Sequence, residues 1–207
     1  MATSDTAQEA SPRARGEYAK SAQRRKEIIA AAVEVFSESG FRDGTLRTVA
    51  DRAGMTHAGM RHHFPTKVDL LEAVLKWREE DTLERARLTH PVGIDVIRAW
   101  LASVAENTSR PALVELEAVL SAEAISADNP AHDYFNDLYR RAEELLTRAF
   151  VTTAEQGELR AEIEPDVAAR LLLSTTLGLQ SLWLRNHAID IATELRIYTQ
   201  VLLTVDL

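Results

Sequence analysis

Residues 45–67 read TLRTVADRAGMTHAGMRHHFPTK, and the fold turns on how they divide. Thr45 and Thr56 each stand just before a short run with apolar residues on one side. There a hydroxyl can accept an amide left unpaired at a helix start. After Thr45, the residues Leu46, Val49, Ala50 and Ala53 share one face. After Thr56, Met60 and Phe64 recur at four-residue spacing and mark an inner side. Ala50 is small where the two runs must approach. Gly54 supplies a turn residue free to take positive φ, and Pro65 forbids continuation past Phe64. Two short helices joined by a tight glycine turn are expected, which is a helix-turn-helix.

Working outward, Ile28, Ile29, Ala32, Val35 and Phe36 recur at helical spacing, so a helix from Gln23 is expected to brace the pair and stop at Gly40. Residues 1–20 show no apolar periodicity and read as an unstructured arm. On the other side, Thr66-Lys67-Val68-Asp69 has the form of a capping box and opens a fourth helix to about residue 89. Further helices are expected at about 94–109, from Pro111, at about 131–156, from Pro165 to about 186, and from Asp190 to about 204. The expected fold is all-α with about nine helices.

Charge separates the chain into two parts. Residues 11–67 hold eleven Lys/Arg against six Asp/Glu, whereas residues 68–207 hold thirteen against 24. The whole 207-residue chain carries −8, so a basic head sits on an acidic body. Such asymmetry implies different partners for the two parts. There is no cysteine, which removes disulfides and thiolate metal sites. No apolar run is long enough to span a membrane, and the N-terminus has no hydrophobic signal segment. A cytoplasmic protein without membrane attachment is expected.

Three of the six histidines lie at His57, His62 and His63. At about 100° per residue they point to different sides of a helix, so they do not converge on a metal. No acid stands three or four residues away to orient an imidazole for catalysis. They are either solvated, half-buried side chains or, beside Arg61 and Lys67, contacts to phosphate and bases. The second helix of a helix-turn-helix enters the DNA major groove, and its early residues meet base edges.

Residues 24–75, with Phe36, Gly40-Phe41, Thr45, Val49-Ala50, Ala53-Gly54, His63-Phe64, Lys67 and Leu70-Leu71, resemble the DNA-binding domain of the TetR family of bacterial regulators. The resemblance covers about a quarter of the chain. After the disordered arm (1–20), it implies a three-helix helix-turn-helix domain that binds DNA (21–66), and a helical ligand-binding and dimerisation domain (67–207). Its recognition-helix positions fall on Thr56, His57, Ala58, Gly59, Arg61, His62 and His63. Its phosphate-binding lysine falls on Lys67, and Thr45 and Arg47 take the backbone-contacting start of the preceding helix. Where the family usually has an aromatic residue, this chain has Arg61. A guanidinium there can make a bidentate contact to guanine or hold a phosphate.

The body shows no GxGxxG, Walker or HExxH motif, and His90, His132 and His187 lack a glutamate three residues earlier. No cofactor and no metal are expected. Glu117 and Glu123 sit near apolar positions, either on a solvated face or as carboxylates of a ligand pocket. Trp100, Leu116, Leu120, Phe135 and Tyr139 are core residues individually and candidate lining of the same pocket. The stretch ARLLLSTTLGLQSLWLRN, residues 169–186, is apolar on more than one face. It is either a fully buried core helix or part of an interface. Given the resemblance, a homodimer through the last two helices is expected, with contacts from Leu172, Thr175, Leu179, Leu182, Trp183, Tyr198 and Leu202. Gly178 would permit close approach. The function expected is a DNA-binding transcriptional regulator, a repressor released from a near-palindromic operator by a small-molecule effector. A constitutive regulator or activator without such control is the alternative. A helical enzyme or an interaction adaptor is disfavoured by the basic head.

Overall fold

The computed structural model describes residues 12–85 and 91–207. Among them are nine helices: α1 (Pro12–Asp43), α2 (Leu46–Arg52), α3 (His57–His63), α4 (Lys67–Arg85), α5 (Ile94–Asn107), α6 (Pro111–Glu123), α7 (His132–Glu155), α8 (Pro165–Trp183) and α9 (Ile191–Leu202). The fold is all-α, with a single isolated bridge between Leu159 and Leu203 among the described residues. Helix starts fall where the caps were expected. Thr45 accepts from the Thr48 amide (3.0 Å), and Thr56 from the Gly59 amide (3.1 Å). The Thr66 and Asp69 side chains each accept the other's backbone amide, which completes the capping box. Pro111 and Pro165 occupy first turns, where a missing N–H costs nothing.

Two differences concern α1. The helix begins at Pro12, so part of the expected arm is helical, while residues 1–11 lie outside the described residues. Gly40 breaks it, but the chain resumes a helical turn to Asp43. At Gly40 the backbone adopts φ 71° and ψ −179°, a conformation glycine takes without a Cβ penalty. The fourth helix is seen to Arg85; residues 86–90, which include His90, lie outside the described residues.

The buried residues form two cores. The first joins Ile28, Ala32, Val35 and Phe36 of α1 to Val49, Ala50, Met60 and Phe64 of the helix-turn-helix. It continues through Leu70, Leu71 and Val74 of α4, Leu116 and Leu120 of α6, and Phe135 at the start of α7. The second packs Ile97 and Val104 of α5 with Leu146 and Phe150 of α7, Leu172 of α8 and Leu195 of α9. Thus α4, α6 and the first turns of α7 share a core with the basic head, so any movement of those helices reaches it directly.

Candidate nucleic-acid interface

The helix-turn-helix is built as the residue pattern implies. Gly54 takes φ 62°, its amide donates to Asp51 O (3.2 Å), and the Met55 amide donates to Ala50 O (2.9 Å). This pair of bonds satisfies the carbonyls at the end of α2 and turns the chain sharply into α3. Ala50, Met60 and Phe64 are fully buried. On the opposite side of α3, Thr56, His57, Ala58, Arg61 and His62 are exposed, while Gly59 and His63 are half-buried. There is no acidic residue in α3. Among the described residues no group of three His, Asp or Glu side chains is placed to hold a metal.

The basic residues of the head divide into two kinds. Several are engaged as internal braces. Arg25 donates to the His63 carbonyl (3.2 Å), and its guanidinium lies 4.1 Å from the centre of the Phe64 ring. Arg24 donates to the Gly54 carbonyl (3.3 Å) and pairs with Glu27 (2.7 Å). Arg52 forks onto both oxygens of Glu38 (2.6 and 2.7 Å), tying α2 to α1. Lys67, where the resemblance implied a phosphate contact, donates to the carbonyls of Phe41 (2.7 Å) and Arg42 (3.1 Å) and lies 4.5 Å over the Phe41 ring. Only one of its three donors remains for a phosphate. Arg47 and Arg61, by contrast, extend from exposed positions without such engagement. His63 is held below the usual imidazole range, first by loss of hydration, then by the neighbouring His62 and by Arg25 and Arg24. The roles of Arg24 and Arg25 as braces were hidden in the sequence, where they counted only as charge. Their targets are backbone carbonyls 30 and 38 residues away.

The body corrects several expectations. Leu116, Leu120 and Phe135 are buried in the first core, whereas Trp100 packs on the second and donates to Thr176 Oγ1 (3.1 Å). Trp100 is thereby set apart from the other three, which share one core. Glu123 accepts the amides of Phe41 (2.7 Å) and Arg42 (3.3 Å), so it is a brace between α6 and α1 rather than a pocket carboxylate. Glu117 is paired with Arg78 across α6 and α4. Tyr139 is half-buried beside this pair, and burial raises its phenol pKa.

At the last two helices, Leu172 (0% exposed), Trp183 (6%) and Leu202 (5%) are buried inside the protomer. They have almost no surface left for a second copy, which removes them from the expected interface. Thr175, Leu179 and Tyr198 keep partial exposure and Leu182 is exposed. The other outward large apolar residues of these helices are Val167, Leu171, Ile197 and Val201, none of them among the expected contacts. A Cβ at Gly178 would meet nothing within 4 Å, so no close approach occurs there within the chain.

The sequence model of "Bacterial regulatory proteins, tetR family" matches residues 28–74. The chain is also 30% identical over 159 residues to the HTH-type transcriptional repressor KstR2 of Rhodococcus jostii, covering 73% of this chain and 76% of that one. The chain belongs to the TetR family. The HTH-type transcriptional repressor BepR of Brucella suis is 26% identical over 82% of this chain and 84% of its own. A structure solved as the molecular basis for control of antibiotic production by a bacterial hormone shares 28% identity and superposes with a TM-score of 0.64, over 87% of this chain and 97% of that one. This TetR-family chain is a DNA-binding transcriptional regulator, and among the described residues no helix is long and apolar enough to cross a membrane.

Proposed function

We propose that this regulator is a cytoplasmic homodimeric repressor that places one α3 from each protomer in the major groove of a near-palindromic duplex and releases it on binding a small molecule. The observation that carries the reading is the two-sidedness of α3. Its inner residues Met60 and Phe64 are fully buried, while Ala58, Arg61 and His62 face outward with no carboxylate among them. Small Ala58 and Gly59 allow close approach, and Arg61 can reach a base edge or an adjacent phosphate. Thr45, Arg47, Thr56, His57, His63 and Lys67 surround this face as backbone contacts. The segment 21–66 thus serves DNA, and 67–207 serves effector binding and pairing.

Pairing is assigned to the outward stripe of α8, Leu171, Thr175, Gly178 and Leu182, which recurs at helical spacing. Ile197, Tyr198 and Val201 of α9 continue it. Such a dimer sets two recognition helices about 34–36 Å apart, or a multiple of that. Effector control is supported by the hormone-linked relative at 28% identity. The polar cluster of Arg78, Glu117, Tyr134 and Tyr139 between α4, α6 and α7 is the part of the body best suited to an effector with hydrogen-bonding groups. Selection from a random duplex library tests the reading. It should return a near-palindrome bound with steep salt dependence by a dimer. Salt-independent binding, or no enriched sequence, would overturn it.

A further inference from the structure

Glu123 is the last residue of α6, in the body, and its carboxylate reaches the break in α1. Oε2 accepts from the Phe41 amide at 2.7 Å, and both oxygens accept from the Arg42 amide at 3.3 Å. From the other side, Lys67 of α4 donates to the carbonyls of the same two residues. One dipeptide is therefore held by a carboxylate on its amides and an ammonium on its carbonyls. Three residues later the chain reaches Thr45, the cap that opens α2. Gly40 makes room for the arrangement, since a Cβ there would sit 2.3 Å from Glu123 Oε1. A carboxylate in the last turn of its own helix is electrostatically unfavourable. Charged hydrogen bonds to the two amides offset this. A local rule is broken where a long-range contact needs it.

Resting on the DNA-binding reading above, we infer that Glu123 is a positioning residue for operator recognition: it fixes Phe41 and Arg42 and so sets the angle at which α2 and α3 leave α1. It touches no DNA. It acts through the backbone of residues 41–42. The dipeptide lies 81 to 82 residues from Glu123 in sequence, so the contact has no local role in forming either helix.

The test uses the full chain and the duplex selected by wild type, with a scrambled duplex of equal length as reference. Glu123→Ala should keep its helical content and its affinity for the scrambled duplex. Affinity for the selected duplex should fall by about tenfold or more, within the range typical of coupling between sites. The salt slope should not change, because no phosphate contact is lost. Glu123→Gln retains one acceptor oxygen and should recover part of the loss. An unchanged ratio of selected to scrambled affinity in folded Glu123→Ala would overturn the assignment, as would equal losses on both duplexes. If both Glu123 variants unfold, the carboxylate is only a structural brace and the inference falls. If wild type selects no duplex, the DNA-binding reading fails first and takes this one with it.

Discussion

Helices α3 and α8 make opposite demands on their side chains. The seven residues of α3 bury one, Met60, with Phe64 just beyond; Gly59 and His63 are half-buried and the other four are exposed. The nineteen residues of α8 bury six, and apolar residues also stand on its outer side, Leu171 at 42% and Leu182 at 54% exposure. A helix with one inner stripe has one way to sit. A helix apolar on more than one face has several, and only the neighbours decide which leucines go inside. The difference teaches where a sequence is self-explanatory and where packing must be seen.

The sharpest way to break the comparison is to place a charge on each side of α8. Leu172→Asp puts an unpaired carboxylate in the second core, and Leu172→Ala alone should cost about 2–5 kcal/mol. The aspartate variant should fail to fold at ordinary temperature. Leu182→Asp, ten positions later on the outer stripe, should remain folded with full helical content. It should sediment as a monomer and lose most operator affinity. Sedimentation and circular dichroism on both variants check this. A dimeric Leu182→Asp with normal DNA binding would move the interface elsewhere.

The head was legible almost residue by residue. Thr45, Gly54, Thr56 and the Thr66–Asp69 box act locally, through bonds within a few positions, so spacing alone locates them. Met60 and Phe64 followed from period. What escaped was non-local. Arg25 reaching the His63 carbonyl and Glu123 reaching the Phe41 amide leave no periodic trace. Trp183 and Leu202 looked like surface anchors because the stripe they join becomes visible only once α5, α7 and α9 are packed around α8. Trp100 stands apart from the other pocket candidates for a related reason. Trp100 and Leu116 belong to different cores that one sequence pattern cannot distinguish.

A smaller effect is expected from the outer face of α3. Arg61→Ala should cost about 1–3 kcal/mol on the selected duplex and relax specificity at one position. Stability should hold, since Arg61 is exposed and α3 is held by Met60. Competition binding against single-base variants of the duplex measures it. Undiminished discrimination at every position would remove Arg61 from base contact.

Smaller again is the contrast between Arg47 and Lys67. Arg47→Ala should lower the salt slope by about one unit and weaken all duplexes alike, with the unfolding midpoint unchanged. Lys67→Ala should also lower the midpoint, because it leaves the Phe41 and Arg42 carbonyls without their donor. Thermal melts and salt titrations of the two variants separate the classes. Equal melts would show that the two cations play the same part.

The smallest expected effect is a pH dependence centred on His63. Its folded pKa lies below the usual value, chiefly because the half-buried ring loses hydration, and then because His62, Arg25 and Arg24 are near. The unfolded chain therefore takes up the proton first as pH falls. The stability linked to His63 is fully present above about pH 6.5, the ordinary histidine value, and is lost as pH drops through the lower folded value. DNA acts in the opposite sense. Phosphates near the ring favour the imidazolium, so binding should draw in a proton and operator affinity should rise over the interval in which the free protein loses stability. His63→Gln should flatten part of both slopes. Melting midpoints and operator affinities are to be followed across this range at fixed salt. If the variant keeps the wild-type slope in both, His63 is a spectator, and the cationic face of α3 reduces to Arg61 and its exposed neighbours.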